Sequence, residues 1–342
     1  LPVMRWNELT CMAPSERFDI MQPGENHWVF GFPLSVKGEV FGVLLVKETH
    51  SSPAMRERRV EIINGIAQQI SLAIQNERLK LEMVERERLE REIQLARQIQ
   101  KTFLPDRLPR VSGWHLDVRW QTARQVGGDF YDVFRLSDGS IALVIADVAD
   151  KGLPAALYMT VTRTLIRALS QNQHSPARLL NRVNQLLTVE SADSMFVTAV
   201  YAVLKPDTGE LIYANAGHNR PLILRSETGE VEQLPFGGMA LGIQDHTNTT
   251  DHRFVVKPGD TIILFTDGVT ESFSPSGEAF GDSRLVDIIR DSAVDGDPDQ
   301  ILQTIETRLW AYRQGAPPSD DLTILIAHRQ ADEKQAADAA AR

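Results

Sequence analysis

Acidic residues stand at the ends of the most apolar segments of the chain. Asp147 ends the run SIALVIAD, Asp267 ends TIILFTD, and Asp320 and Asp321 directly precede LTILIAH, while Asp129 opens the run FYDVF. One aspartate at a strand end is a common turn former. Several of them on strands of one sheet would gather carboxylates into a single cleft, where only bound cations could offset their mutual repulsion.

The type of ligand indicates which cations these would be. Carboxylate oxygens without cysteine or clustered histidine favour the hard ions Mg²⁺ and Mn²⁺ over zinc. Two such ions can acidify a bridging water and stabilise charge on a phosphoryl group. The pattern therefore predicts a two-ion site for phosphate-ester hydrolysis.

Composition and missing motifs exclude several other classes. The sequence contains no P-loop, H-E-x-x-H helix, G-x-S-x-G elbow or Rossmann glycine fingerprint. A net charge of -10 argues against nucleic-acid binding. The single cysteine, Cys11, is far in sequence from the acidic residues. This distance favours the role of a small apolar residue over that of a nucleophile. With no possible internal disulfide and no apolar run of about 18 residues, the sequence predicts a cytoplasmic protein.

The elements that must position the aspartates follow from the apolar patterns. Buried strands are predicted at 140–146, 195–204, 210–214, 261–265 and 322–327, and helices at 154–170, 176–189, 283–292 and 298–312. Strands linked as hairpins, with helices between the groups, favour a layered mixed sheet over βαβ repeats.

The N-terminal region has a different pattern. Residues 28–46 predict a hairpin that turns at Lys37-Gly38, and a helical period then runs from Pro53 to about Gln100. An apolar stripe follows its first part, at Val60, Ile63, Ala67, Ile70 and Ile74. Two interpretations are open: a signalling coiled coil that joins two domains in a homodimer, and a solvated connector in a monomer.

Five short motifs in order resemble one known family. They are Gly127-Gly128-Asp129-Phe130, Ala146-Asp147-Val148 followed by Lys151-Gly152, Ala216-Gly217-His218-Asn219, Thr266-Asp267-Gly268-Val269-Thr270-Glu271 and Ser319-Asp320-Asp321-Leu322-Thr323. This set resembles the bacterial PP2C-type serine/threonine phosphatases of the SpoIIE/RsbU group, over about residues 99–328. The resemblance implies an α+β fold, an αββα four-layer sandwich, with two Mn²⁺ or Mg²⁺ ions between the sheet ends.

The resemblance also implies roles for particular residues. The metal ligands would be Asp129, Asp147, the carbonyl of Val148, Asp267 and one or both of Asp320 and Asp321, with Asp320 preferred. The implied catalytic residues are Asp129, Asp147, Asp267 and Asp320. The implied substrate is a phosphorylated STAS-type anti-anti-sigma factor. Asp150 departs from the family pattern, which commonly has glycine there, and His218 is left outside the catalytic set because its Gly-His-Asn turn favours a structural role.

The whole chain is then expected to contain four regions. Residues 1–76 resemble the C-terminal part of a GAF sensor domain, on the stretches 38–44 and 66–76, and 77–104 form a helical linker. Residues 105–329 form the PP2C-like domain, and 330–342 a disordered tail. The predicted function is a metal-dependent protein phosphatase under the control of the N-terminal sensor. Two alternatives are a non-catalytic module that binds a phosphoprotein and a GAF-type sensor of small ligands.

Overall fold

A computed structural model describes most of the chain. It covers residues 18–21, 28–37, 39–48, 53–171, 173, 175–190, 195–292 and 298–331. Cys11, Gly38 and the predicted tail beyond residue 331 lie outside the described residues. The chain forms two compact units, Leu1–Arg91 and Glu92–Arg342. The region boundaries predicted at 76 and 104 stay predictions.

The first unit is a small sheet covered by the start of a long helix. Strands β1 (Phe18–Met21), β2 (Trp28–Val36) and β3 (Glu39–Glu48) pair antiparallel in that order, which confirms the hairpin and adds a strand that was not predicted. Helix α1 (Pro53–Phe103) follows. Its residues Val60, Ile63 and Ala67 pack against a cluster around Phe32. This part of the apolar stripe therefore packs within the unit, while the GAF resemblance stays a prediction.

Ten strands of the second unit form two five-stranded antiparallel sheets. In chain order they are β4 (Trp114–Gln121), β5 (Phe130–Arg135), β6 (Ile141–Val148), β7 (Val197–Lys205), β8 (Glu210–Ala216), β9 (Leu222–Leu224), β10 (Val231–Gln233), β11 (His252–Val255), β12 (Thr261–Phe265) and β13 (Leu322–Arg329). One sheet has the order β10-β9-β12-β13-β4, and the other has β11-β8-β7-β6-β5. The five predicted strands are confirmed within a few residues.

Helices cover the outer face of each sheet. They are α2 (Leu153–Ser170), α3 (Pro176–Glu190), the single turn α4 (Asp267–Thr270), α5 (Gly281–Ser292) and α6 (Pro298–Tyr312). Met159 and Leu180 pack α2 and α3 on the sheet that contains β6. Leu285 and Leu302 pack α5 and α6 on the sheet that contains β12. Side chains from both sheets fill the layer between them. The predicted αββα sandwich of an α+β fold is confirmed.

This layering explains why the central strands are apolar without alternation. All five residues of β12 and seven of the eight residues of β6 are buried, because one face meets the other sheet and the opposite face meets helices. Among the described residues, no helix is both long and apolar enough to cross a membrane.

Candidate metal centre

The predicted acidic residues lie at the same ends of neighbouring strands. Asp129 directly precedes β5, and Asp147 is next to last in β6, its antiparallel partner. Asp267 begins α4 just after β12, and Asp320 and Asp321 directly precede β13, which pairs antiparallel with β12. Because antiparallel pairing places the start of one strand beside the end of its neighbour, each sheet brings its acidic residues to one edge.

A hydrogen-bonded carboxylate joins these two edges. Oδ2 of Asp129 accepts hydrogen bonds from the hydroxyls of Thr266 and Thr323, each at 2.7 Å. Thr266 directly follows β12 and Thr323 is the second residue of β13, both in the opposite sheet, and Asp129 is 1% exposed. The hydroxyl oxygen of Thr266 also accepts the backbone N–H of Thr323 at 3.0 Å. The acidic residues of the two sheets therefore meet in one cluster, in which Asp129 and Asp321 are buried and the others are partly exposed.

Asp321 supports the loop that carries Asp129. Its Oδ1 accepts the backbone N–H of Ala123 at 2.8 Å, and its Oδ2 accepts those of Gly128 at 2.7 Å and Asp129 at 3.4 Å. These donors hold the chain just before β5 against the start of β13. The Asp321 carboxylate thus has a structural task, and its predicted part in binding metal stays a prediction.

Asp320 has a different environment. Its Oδ2 lies 2.7 Å from the ammonium group of Lys151, which also donates to the carbonyl of Ser319 at 3.2 Å. The side chain of Asp320 is 32% exposed, so it is more accessible to solvent than Asp129 and Asp321. Lys151 therefore supplies positive charge beside the Asp320 carboxylate.

The electrostatics of the cluster show that its negative charges repel. Burial raises the pKa of Asp147 to about 7, and the charge of Asp267 adds to the increase. The pKa of Asp267 rises to about 6, first through burial and then through the charges of Glu271 and Asp320. Burial, with the charges of Asp147 and Asp321, also raises the pKa of Asp129 well above its ordinary value.

Burial raises the pKa of Asp321 as well, although the three N–H donors oppose the increase. Carboxylates that resist ionisation together are those that a divalent cation would stabilise in the ionised form.

The donor chemistry of the cluster fits a hard divalent ion. Every candidate ligand is an oxygen, including the carbonyl of Val148, which lies close to Gly128: a Cβ on Gly128 would come within 2.8 Å of that oxygen. In the part of the chain that is described, no three His, Cys, Asp or Glu side chains are grouped tightly enough to hold an ion as they stand. Asp129, Asp321 and Asp320 are instead paired with the hydroxyl, N–H and ammonium groups given above.

His218 lies in the same region but is enclosed. It is 2% exposed, its Nδ1 lies 2.8 Å from the hydroxyl of Thr198, and its backbone N–H donates to Oδ1 of Asn215 at 2.7 Å. Burial lowers the pKa of His218 to about 4, so the ring is neutral at pH 7. These contacts hold the turn after β8.

Sequence reasoning missed the residues that orient the aspartates. Thr266 and Thr323 are parts of the recognised motifs, but no role was predicted for either of them. The motif that contains Lys151 assigns no role to it. The helical pattern places Gln100 on the linker helix and assigns it no contact. The available signal for the first two was their place in the motifs, since Thr266 directly precedes Asp267 and Thr323 follows Asp321 by two residues.

The fold and the site together define the class. Two antiparallel sheets between helical layers, with acidic residues from both sheets at one edge, form a PP2C-type phosphatase domain. Residues 137–330, more than half of the chain, match the family described as Stage II sporulation protein E (SpoIIE). The chain belongs to the SpoIIE family.

Individual relatives agree with this assignment. The chain is 34% identical to Protein IcfG of Synechocystis over 265 residues, which cover 70% of this chain and 41% of IcfG. It is 31% identical to the phosphoserine phosphatase RsbU of Bacillus subtilis over 186 residues, 54% of this chain and 55% of RsbU. The chain thus spans about half the length of these curated relatives.

A solved structure supports the fold over the same region. The SiaA-PP2C domain of Pseudomonas aeruginosa superposes with a TM-score of 0.63 at 26% identity, covering 72% of this chain and 98% of that domain.

Proposed function

We propose that this protein is a metal-dependent phosphatase that hydrolyses phosphoserine or phosphothreonine on a regulatory protein. The observation that carries the proposal is the meeting of carboxylates from both sheets in one partly buried cluster, where the pKa of Asp147 rises to about 7 and that of Asp267 to about 6. A protein keeps such a repulsive group of charges mainly where function needs it. Membership of the SpoIIE family and 31% identity to a phosphoserine phosphatase support the type of substrate.

The proposed ligands of two Mn²⁺ or Mg²⁺ ions are Asp129, Asp147, the Val148 carbonyl, Asp267 and Asp320. Asp321, next to Asp320 in the chain, is a further candidate ligand. Ions bound there supply an acidified water and positive charge beside the phosphoryl group.

Other residues of the chain position these ligands. Thr266 and Thr323 fix one oxygen of Asp129, which leaves the other oxygen to bind a metal ion. Asp321 holds the backbone from which Asp129 projects. Lys151, beside Asp320 at the more exposed side of the site, offers a cation to an incoming phosphate.

The substrate proposed from the family resemblance is a STAS-type anti-anti-sigma factor. Control by the N-terminal region and dimerisation through α1 are further parts of the proposal. Helix α1 exposes apolar side chains beyond those that pack on the small sheet, and these favour a helical partner: Leu79, Leu81, Met83, Val84 and Leu89 are each at least half exposed.

A phosphate-release assay tests the proposal. The full chain is incubated with a phosphorylated STAS protein and Mn²⁺, and then with a chelator. We expect release that requires Mn²⁺ and is lost in Asp267→Asn, which removes one charged ligand and keeps its shape. Binding of the phosphoprotein without any release, in wild type and variant alike, would instead identify a non-catalytic binding module.

A further inference from the structure

The last turn of the long helix contacts the loop that carries Asp129. The side-chain amide of Gln100 donates to the carbonyl of Gly127 at 2.6 Å, and its Oε1 accepts the backbone N–H of the same glycine at 3.3 Å. The backbone N–H and the carbonyl of Gly127 are thus both paired with the carboxamide of Gln100. Asp129 is two residues further along the chain.

This contact is enclosed within the second unit. Gln100 is 3% exposed, whereas Gln94 and Gln98 on the same helix are exposed. Leu104, just beyond the helix, belongs to the core cluster between α2, α3 and their sheet. Burying a carboxamide is unfavourable unless its donor and acceptor are both paired. Gln100 meets this condition through Gly127.

The opposite side of the loop is held equally closely. Asp321 accepts the N–H groups of Gly128 and Asp129, and a Cβ added to Gly127 would overlap the Asp321 carboxylate. The loop therefore lies between the helix end and the start of β13, with little space on either side. Loss of the Gln100 contact should therefore shift the peptide that precedes Asp129, because close neighbours leave the loop little room to adjust elsewhere.

We infer that Gln100 is a positioning residue of the metal centre. By pairing with Gly127 it fixes the loop whose next residues present Asp129, so that the end of α1 is a structural part of the site. The effect on metal affinity rests on the proposed function, whereas the effect on the loop does not. Supporting groups one step removed from a metal typically change its affinity by about 10- to 100-fold when they are lost.

The test compares Gln100→Ala with Gln98→Ala in the full chain. Gln98 is the matched control because it has the same side chain on the same helix and is exposed. Mn²⁺ affinity is measured by titration calorimetry, and hydrogen exchange is measured in a peptide spanning residues 123–130 without metal. We expect Gln100→Ala to bind Mn²⁺ about tenfold more weakly and to exchange faster in that peptide, while Gln98→Ala matches wild type in both.

Equal Mn²⁺ affinity and equal exchange in the two variants would overturn the inference. If Gln100→Ala lowers the thermal midpoint, Gln100→Met refills the space without the hydrogen bonds, and the same two measurements then decide. If wild type itself binds no Mn²⁺, the proposed function fails. Exchange in the loop still distinguishes the variants, and unchanged exchange there refutes the positioning role of Gln100.

Discussion

Asp147→Asn should stabilise the metal-free protein while removing the proposed phosphatase activity. In the absence of metal, the Asp147 carboxylate is buried close to other carboxylates, and its pKa rises to about 7. Asparagine has nearly the same shape and no charge. The substitution therefore removes repulsion from the folded state, and it also removes a proposed metal ligand.

The size of the effect follows from the pKa. The difference between about 7 and the ordinary 3.8 corresponds to at most roughly 4 kcal/mol of unfavourable free energy when Asp147 is ionised. Protonation of a neighbouring carboxyl relieves part of it, so we expect a gain of about 1–3 kcal/mol at pH 8. At about 2–4 °C per kcal/mol for a domain of this size, the thermal midpoint should rise by several degrees.

The gain should depend on pH in a defined direction. A carboxyl whose pKa is raised by folding contributes stability below its unfolded pKa, and that contribution is lost as the pH rises through the folded pKa. Wild type therefore approaches the variant as the pH falls through about 7, and the two should have similar stability near pH 4.

Thermal unfolding in EDTA at pH 8, 6 and 4 measures this difference. Asp150→Asn is the matched control, because it also removes one negative charge. Asp150 is exposed and lies three residues from Asp147 in the chain. Added Mn²⁺ should stabilise wild type and leave Asp147→Asn almost unchanged. The reasoning is refuted if Asp147→Asn is less stable than wild type at pH 8 in EDTA, or if Asp150→Asn gives the same gain.

Three further predictions concern packing and metal. Asp132→Ala leaves the guanidinium of Arg163, 2.8 Å from Asp132 in wild type, buried without this partner, so urea unfolding should show a loss of about 3–5 kcal/mol; a loss below 1 kcal/mol would contradict this. Gly127→Ala adds a methyl against Asp321 and should weaken Mn²⁺ binding by about tenfold or more in calorimetry, whereas Gly65→Ala, in open space on α1, should leave it unchanged. Chelation of Mn²⁺ should lower the thermal midpoint of wild type, and an unchanged midpoint would argue against a resident ion.

The sequence predicted the central strands because both of their faces are covered. Runs such as SIALVIA remain apolar throughout, and an aspartate at the end of such a run is easy to recognise. Strands β9, β10 and β11 have only three or four residues, too few for a period to show. Their positions are set by pairing with longer neighbours, which a single sequence does not display.

The candidate site was predictable as a set of aspartates but not as a set of contacts. The sequence does not distinguish Asp320 from Asp321, since both precede β13. The structure separates them, because one faces Lys151 and the other accepts backbone N–H groups. Gln98 and Gln100 are equally indistinguishable in a helical pattern. Only the docking of the helix end decides which of them is buried.

The division of the acidic residues between two sheets has a consequence for proteolysis. Asp129 and Asp147 belong to one sheet, and Asp267 and Asp320 to the other. A cut between Asp147 and Asp267 would place the two pairs on different fragments, and neither fragment would carry all four proposed ligands. Such a cut should therefore abolish Mn²⁺ binding at this site.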